Sequence, residues 1–270
     1  MNESISRGYL LQPYRLFHSS DRRDADFDAH SHEFHKMVFC LQGHVTYIME
    51  GNSYELQPGD MLLIPERQIH RSIMHSNTLY ERMILWVNDS YLRSFNEETL
   101  RRPFRSPMLH RPSPGKQAVL KEKLTEMERC EKGALPGPQL MQDTYLLQFL
   151  LLLSGQLDAA GDAPANAVRT DPKVHEVLSY INGNLKEELS VDSLARRFFI
   201  SPSYLMHSFK AHTGCSVHQY IVQKRLTYAF DRIRDGQGIV ETAHQAGFGD
   251  YSAFLKAFRK QYGCSPREVK

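Results

Sequence analysis

The C-terminal part of the chain carries apolar residues at the spacing of an α-helix and predicts two helices joined by a turn. The first helix covers residues 239–245, and the second runs from a cap at Asp250 to about residue 262. Phe254 and Phe258 are four residues apart, so they share the face of the second helix that packs into the domain. The opposite face is polar and basic, which is typical of a helix-turn-helix unit whose second helix enters a groove of DNA.

The same pattern occurs once more upstream. Ser190 caps a predicted helix, and Ser201 followed by Pro202 opens a second one. Between the two units, residues 216–234 predict one continuous helix of ~28 Å, at ~1.5 Å per residue. Because one turn of duplex DNA measures ~34 Å, this connecting helix can place two reading helices in successive major grooves on one side of DNA.

The order of residues in the second unit resembles a motif of the AraC/XylS transcription regulators. The match A-x-x-A-G-F-x-D-x-S-x-F-x-x-x-F-[KR]-x-x-x-G-x-S-P runs without gaps from Ala243 to Pro266. The resemblance extends over roughly residues 172–270. It implies a bacterial, sequence-specific transcription regulator, by family habit an activator, that binds double-stranded promoter or operator DNA. An activator would also contact RNA polymerase.

On the first reading helix, Leu205 and Phe209 are predicted to face the core of the domain. The outward residues of both reading helices are therefore the candidates for DNA contact. The candidates are Ser203, Met206, His207 and Lys210 on the first helix, and Tyr251, Ser252, Lys256 and Arg259 on the second. Serine and methionine cannot make the bidentate base contacts of arginine, so the first helix would depend on His207 and on thymine methyl groups. Asp250 is expected to cap its helix, and Arg225 to form a salt bridge inside the domain. The alternative is that the candidates are merely exposed.

Residues 30–87 switch to the two-residue period of β-strands. The predicted strands cover 34–41, 44–50, 54–56, 61–64, 69–74 and 79–87. Pro13 interrupts an earlier run at 9–17, which is an edge strand at best. Short, closely spaced strands predict a small β-barrel or jelly roll.

This barrel segment resembles a cupin. His30, His32, Lys36 and Gly43 match a cupin pattern, with lysine where metal-binding cupins carry glutamate, and His70 matches the second motif. In AraC/XylS regulators such a barrel usually senses a small molecule, often a sugar or oligosaccharide, so the resemblance implies effector binding. The candidate effector residues are His30, His32, Lys36, His70, Tyr80 and Trp86, the two aromatic residues as a stacking surface.

The three histidines leave several interpretations open. On one strand, His30, His32 and Lys36 would point to the same side, into the barrel. Together with His70 the histidines suit Zn²⁺ or Fe²⁺, but the lysine adds positive charge where a cation would sit. We therefore expect no metal and no other cofactor. The other interpretations are a polar pocket for a sugar or a small anion, and histidines held structurally within the barrel.

Catalysis is not expected. The sequence contains no nucleophile elbow and no phosphate-binding glycine loop, and the cupin motif lacks its carboxylate. Two other classes of protein remain as alternatives. One is a cupin enzyme with a DNA-binding appendage, and the other is a ligand-free regulator that a protein partner controls.

Two amphipathic helices are predicted after the barrel, at 116–132 and 139–157, and residues 95–114 before them are predicted to be a loop or short helical stretch. On the second helix Leu140, Leu147 and Leu151 lie on one side, and Leu146, Leu150 and Leu153 broaden the apolar face. In the resembled family such a pair usually forms the dimer, so a homodimer is expected. Packing within one chain is the alternative.

These elements predict an α+β chain of two domains: a cupin-like β-barrel with a helix pair, and an all-α domain with two helix-turn-helix units. The effector-binding and dimerisation domain would cover 1–157, and the DNA-binding domain 172–270. Residues 158–171 are small, polar and without a period, which is typical of a linker.

The composition of the chain indicates the cellular compartment of the protein and the distribution of its charge. Hydrophobic residues make up 41% and charged residues 24%, as in soluble globular proteins. No signal peptide and no run of the ~20 apolar residues that span a bilayer occur, and the four cysteines lack metal or redox spacing. We therefore expect a cytoplasmic protein without membrane contact. From residue 173 onward, 14 lysines and arginines outnumber 9 acidic residues, so the predicted DNA-binding end is the basic one.

Overall fold

The β-strands of the N-terminal half form two antiparallel sheets that enclose an apolar interior. The structure is a computed structural model and describes residues 10–21, 29–74, 79–133, 137–160, 168–169 and 171–269. The strands are β1 Tyr14–Asp21, β2 His35–Gln42, β3 Val45–Met49, β4 Asn52–Leu56, β5 Met61–Ile64, β6 His70–Met74, β7 Tyr80–Val87, β8 Met108–His110 and β9 Val168–Arg169. One sheet has the order β1-β7-β2-β5-β8 and the other β6-β3-β4-β9. The predicted barrel is confirmed.

Two parts of the strand prediction need correction. The run around Pro13 is an edge strand, as predicted, but β1 begins after the proline at Tyr14 and continues to Asp21. The segment 95–114 has two short 3₁₀ turns and also strand β8, which pairs with β5. Only three residues of β8 enter the sheet, and so short a segment has too few alternating positions to be recognised from its period.

Alternate residues of β2 face two different cores. Met37 and Phe39 lie in the cluster formed with the helices outside the sheet, whereas Val38 and Cys40 lie in the cluster inside the barrel. Because successive side chains of a strand point to opposite faces, Lys36 shares the inner side with Val38. Its side chain is buried.

A helix pair covers the outer face of the first sheet. After a short helix, α1 Asp89–Ser94, the pair consists of α2 Pro114–Lys132 and α3 Pro138–Ala160. On α2 the predicted apolar residues Leu120, Leu124 and Met127 are buried. On α3 the two predicted groups of leucines differ in burial. The residues Leu146, Leu150 and Leu153 are fully buried, whereas Leu140 and Leu151 are 71% and 46% exposed.

The sequence of α3 explains why this difference was not predicted. Leucines occupy nearly every side of this helix, so its apolar period does not single out one face. The packing against α2 and the sheet decides which leucines are covered, and this is a tertiary property. The result is a row of exposed leucines on a helix that is already packed on its other side.

The C-terminal part is all helical. Its helices are α4 Pro172–Gly183, α5 Val191–Arg197, α6 Pro202–Thr213, α7 Val217–Arg234, α8 Ile239–Gln245 and α9 Tyr251–Tyr262. The side chains of Ser190, Ser201 and Ser216 accept hydrogen bonds from backbone N–H groups at the first turns of α5, α6 and α7. In the turn before α9, Gly247 has φ +88°, and a Cβ there would collide with the Leu185 carbonyl oxygen. Both predicted helix-turn-helix units and the connecting helix are confirmed.

Part of the segment predicted as a linker has regular structure. Helix α3 continues to Ala160, and residues 168–169 pair with Ser53 and Asn52 of β4. Two paired residues give no period that the sequence could reveal. Across the described ranges, no helix combines the length and the apolarity that crossing a bilayer requires.

Candidate DNA-binding surface and effector site

The first reading helix, α6, keeps the predicted division between its two faces. Leu205 and Phe209 are buried. The exposed residues include Ser203, Met206, His207 and Lys210. The His207 ring donates from Nδ1 to the Ser203 carbonyl oxygen (2.9 Å), which orients the imidazole and leaves Nε2 available for another group.

The second reading helix, α9, has the same design. Phe254 and Phe258 are fully buried. The exposed residues include Tyr251, Ser252, Lys256 and Arg259. The Asp250 carboxylate accepts hydrogen bonds from the backbone N–H groups of Ser252 (3.1 Å) and Ala253 (2.9 Å). Asp250 is therefore a helix cap, as the sequence predicts.

A cleft of about 750 Å³ lies between α6, α7 and α9. Its polar lining includes Lys210, His218, Gln219, Gln223, Lys256 and Lys260. The candidate lysines of the two reading helices, Lys210 and Lys256, therefore open onto one concave surface. Cationic side chains in such a groove suit the phosphates of a nucleic acid.

Sequence reasoning missed the contribution of the connecting helix to this cleft. His218, Gln219 and Gln223 are polar residues on α7, and nothing in their spacing distinguishes them from an ordinary solvated face. Arg225, on the same helix, was expected to form a salt bridge within the domain. It instead donates to the backbone carbonyl oxygens of Leu185 (2.9 Å) and Glu187 (2.8 Å).

The three predicted histidines lie together at one end of the barrel. The prediction placed His30 on one strand with Lys36, but His30 is not part of a strand. It forms an isolated bridge to His70 through two 3.0 Å backbone hydrogen bonds. The ring centroids of His30 and His70 are 4.6 Å apart, and those of His32 and His70 are 4.9 Å apart. His30 is exposed, whereas His32 and His70 are buried.

The two buried histidines are neutral acceptors. Nδ1 of His32 donates to the Phe34 carbonyl oxygen (2.7 Å), and Nδ1 of His70 donates to the Gln68 carbonyl oxygen (2.9 Å). Burial, and then the positive charge of Lys36, lower the pKa of both rings well below the ordinary value. Each Nε2 therefore carries a lone pair, and neither atom has a hydrogen-bond partner among the described residues.

Lys36 and Trp86 complete the cluster. They are opposite each other on β2 and β7. The Trp86 ring lies 4.6 Å from that of Phe34, which stacks on His32 at 4.1 Å, and Trp86 Nε1 has no partner in the described structure. Burial, and then the charge of Arg82, lower the pKa of Lys36 to about 8.

Tyr80 does not join this cluster. It lies six residues from Trp86 on the same strand, which is about 20 Å at ~3.3 Å per residue. The predicted stacking surface of Tyr80 and Trp86 is therefore not formed, and Phe34 takes the place of Tyr80 beside Trp86. Within the described residues, no group of three or more His, Cys, Asp or Glu side chains has an arrangement that could hold a metal ion.

The barrel contacts the helical domain through charged side chains. Arg67, on the turn between β5 and β6, lies 2.6 Å from the Glu33 carboxylate and 2.7 Å from the Asp231 carboxylate of α7. Glu50, after β3, lies 2.7 Å from the Lys224 ammonium of α7 and accepts a hydrogen bond from Tyr220. Ion pairs of this kind were not visible in the sequence, because their partners are more than 160 positions apart.

These interdomain contacts lie next to the buried histidines along the chain. Glu33 follows His32, whose carbonyl oxygen accepts a hydrogen bond from Arg67 N (2.7 Å). On the other side of the cluster, His70 lies between Ile69, which is buried in the core of the helical domain, and Arg71, which donates to the Ala211 carbonyl oxygen of α6 (3.1 Å). The same two segments thus form the histidine cluster and the domain contact.

Comparison with known proteins agrees with this architecture. Residues 12–171 match the family described as AraC-like ligand binding domain, and residues 194–270 match the family described as helix-turn-helix domain. The HTH-type transcriptional activator RhaS of Enterobacter sp. (strain 638) is 23% identical over 251 residues, which cover 91% of this chain and 88% of the relative. RhaS of Salmonella arizonae is 24% identical over 253 residues, with the same coverage.

Solved structures of similar proteins are also available. ToxT from Vibrio cholerae O395 is 14% identical, with 95% of this chain and 96% of that chain covered and a TM-score of 0.40. The DNA-binding domain of AdpA, solved in complex with a target DNA, is 28% identical over 36% of this chain and 88% of its own, with a TM-score of 0.35. The ligand-binding family match alone spans more than half of the 270 residues. With the ligand-binding barrel and the helix-turn-helix domain both matched, the chain belongs to the AraC family of transcription regulators.

Proposed function

We propose that this protein is a bacterial transcription activator that reads two neighbouring major grooves of promoter DNA and responds to a small-molecule effector, a sugar or a compound related to one. The observation that carries the proposal is the cleft between α6 and α9, where exposed residues of both reading helices share one concave surface. The RhaS relatives, which are named transcriptional activators, support activation over repression.

The proposal assigns one task to each part of the chain. Residues 1–157 bind the effector and dimerise, residues 158–171 link the domains, and residues 172–270 bind DNA. The exposed leucines of α3 support a homodimer, because a helix already packed on one side still presents Leu140 and Leu151 to solvent. The active dimer works in the cytoplasm, with promoter DNA and RNA polymerase as its partners.

Regulation acts through the contact between barrel and helical domain. An effector that touches His32 and His70 meets the segments that hold Arg67 against Asp231 and Arg71 against Ala211. Effector binding can shift a pre-existing equilibrium between a docked and a released DNA-binding domain, provided that it binds one state more tightly. In the docked state, Arg71 lies against the end of the first reading helix and restricts its orientation.

Selection of genomic fragments from the source organism by purified full-length protein tests the proposal. We expect enrichment of an asymmetric site with two half-elements about one helical turn apart. The double variant Lys210→Ala, Lys256→Ala should lose this enrichment, because both cationic side chains line the cleft. Selection should be repeated with residues 172–270 alone, the segment that contains both reading helices.

The two selections separate DNA binding from regulation. Enrichment by the isolated segment, but not by the full chain, is expected if the barrel restrains the DNA-binding domain until an effector arrives. If neither protein enriches a site, the proposed DNA-binding function is wrong.

A further inference from the structure

The end of the barrel that holds the histidines presents hydrogen-bonding groups with opposite requirements. His32 Nε2 and His70 Nε2 are buried acceptors without a donor in the described part of the chain. Trp86 Nε1 and the Lys36 ammonium are donors at the same end of the barrel. Trp86 is half-buried and His30 is exposed, so two side chains of the cluster reach solvent.

The two histidines require hydrogen-bond donors from a ligand, and hydroxyl groups are such donors. Their Nδ1 atoms already donate to backbone carbonyl oxygens, and their rings are neutral, so each Nε2 can only accept. A buried acceptor without a partner is destabilising. A ligand hydroxyl group donates the missing hydrogen bond. A carboxylate oxygen cannot donate one, and its lone pairs would face the lone pair of Nε2.

Lys36 requires one negative charge from a ligand. It forms no salt bridge with any described carboxylate, and a buried cation is stable only when it is paired. Arg82, the charged neighbour that lowers the pKa of Lys36, is itself a cation but is already matched by Asp21 at 2.7 Å. One uncompensated positive charge therefore remains, and one carboxylate neutralises it. A phosphate, at −1.5 to −2 near neutral pH, brings more negative charge than the described residues balance.

These requirements exclude the simpler ligands one by one. A neutral sugar satisfies both histidines but leaves the lysine unpaired, and a plain carboxylic acid does the opposite. A cation is disfavoured by Lys36, and the described side chains do not form a metal-binding group. Phe34 and Trp86 pack against each other, with ring centroids 4.6 Å apart, and form the apolar side of the cluster.

We propose that the effector is a hydroxy acid of the sugar-acid type, whose carboxylate pairs with Lys36 and whose hydroxyl groups donate to His32 and His70. This inference rests on the proposed function of the barrel as an effector site. It narrows the proposed class of effector from sugars in general to polyhydroxy carboxylates.

Isothermal titration of the full-length protein with matched compounds tests the ligand class. The hydroxy acids are D-glucuronate, D-galacturonate, D-gluconate and D-glycerate, and the comparison set is D-glucose, D-galactose, cyclohexanecarboxylate, glucose 6-phosphate and Zn²⁺. We expect saturable binding by at least one hydroxy acid. Its neutral or hydroxyl-free counterpart should bind at least about 10- to 100-fold more weakly, since the neutral sugar loses the charged contact with Lys36 and the hydroxyl-free acid leaves His32 Nε2 and His70 Nε2 without donors.

Two variants assign the contacts. Lys36→Met keeps an unbranched side chain that is one atom shorter and has no charge, and it should remove the preference for the acid over the neutral sugar. His70→Phe keeps the ring and should weaken binding of the hydroxy acid without restoring affinity for the neutral sugar. Lys256→Ala, in the DNA cleft, is the matched control and should leave ligand binding unchanged. Thermal unfolding of each variant verifies that it is folded.

The outcomes separate this inference from the proposed function. If a neutral sugar, the phosphate or Zn²⁺ binds the barrel more tightly than every hydroxy acid and changes DNA binding, the protein is an effector-responsive regulator but the inference about the ligand is wrong. If no hydroxy acid binds while the protein still selects a DNA site, the inference is also wrong and the DNA-binding function stands. If Lys36→Met leaves the acid preference unchanged, the assignment of the carboxylate to Lys36 fails.

Discussion

The Arg67 guanidinium of the barrel lies 2.7 Å from the Asp231 carboxylate on the helix that connects the two reading helices. The backbone N–H of Arg67 donates to the carbonyl oxygen of His32, one of the two buried histidines. A single residue thus touches the effector cluster with its backbone and the DNA-binding domain with its side chain. Because both groups are largely buried, the pair is screened less than a surface ion pair.

Asp231→Asn should uncouple the two domains. The amide keeps the size of the side chain but removes the charge that holds Arg67, so the docked state loses stability relative to the released state. We expect the effector-free protein to bind its operator more tightly, on the order of tenfold, and to respond less to effector. Fluorescence anisotropy of labelled operator DNA with and without effector measures both quantities.

Asp235→Asn is the matched control for that variant. Asp235 is exposed at the C-terminal end of the same helix, and no salt bridge to Arg67 is among the described contacts. Its DNA affinity and effector response should remain those of the wild type. An unchanged effector response in Asp231→Asn would show that the Arg67 contact does not transmit the signal.

Lys256→Ala should weaken operator binding and change its dependence on salt. Lys256 is exposed on α9 and lines the cleft that it shares with Lys210 of α6. A lysine that neutralises one phosphate contributes about one unit to the slope of log K against log salt, so the variant should lose that amount. Lys121→Ala, an equally exposed lysine on the helix pair, should retain the full slope. If Lys256→Ala instead relaxes the preference at one base pair, the side chain reads a base edge.

The helical domain was predictable because its signals are local. Caps at Ser190, Ser201 and Asp250 and buried pairs such as Phe254 and Phe258 fix the bounds and faces of short helices through residues at most four positions apart. The barrel strands were equally visible from their alternation. What the sequence could not provide was the relation between distant segments, such as Arg67 with Asp231.

The candidate effector site shows the same limit. The motif placed His30, His32, Lys36 and His70 together, and they are together. It could not show that Tyr80 lies at the far end of β7, because a shared strand face says nothing about distance along the strand. It also could not show which histidine nitrogens are already bonded to backbone carbonyl oxygens, since that depends on loop geometry at Phe34 and Gln68.

Leu151→Glu should convert the proposed dimer into a monomer. Leu151 is 46% exposed on α3, in the row that begins with the 71% exposed Leu140, and a carboxylate in the centre of an apolar interface is strongly unfavourable. Sedimentation velocity should show the mass of one chain. Val240→Glu, at a 59% exposed apolar position of α8, controls for a charge added to an exposed apolar side chain outside the helix pair and should leave the assembly unchanged. A wild-type protein that sediments as a monomer at all concentrations would contradict the proposed dimer.

Lys36→Met should stabilise the effector-free protein, and the gain should depend on pH. Lys36 lies on the inner side of β2, and it faces Arg82 of β7, Tyr47 of β3 and the two neutral rings of His32 and His70. Burial lowers its pKa from the ordinary 10.5 to about 8, so the folded chain holds this proton less tightly than the unfolded chain. Below about pH 8 both states carry the charge, and the folded state is destabilised by about 3 kcal/mol.

The sign of the pH dependence follows from that difference. Between about pH 8 and 10.5 the folded chain loses the proton first, so the wild type gains stability relative to Lys36→Met as pH rises, and the advantage of the variant shrinks toward zero. Urea denaturation of both proteins across this range measures the difference, with Lys121→Met as the exposed control that should show no such trend. A variant that is less stable than the wild type at neutral pH would mean that Lys36 has an anionic partner within the chain. The charge assigned to the effector would then already be supplied by the protein itself.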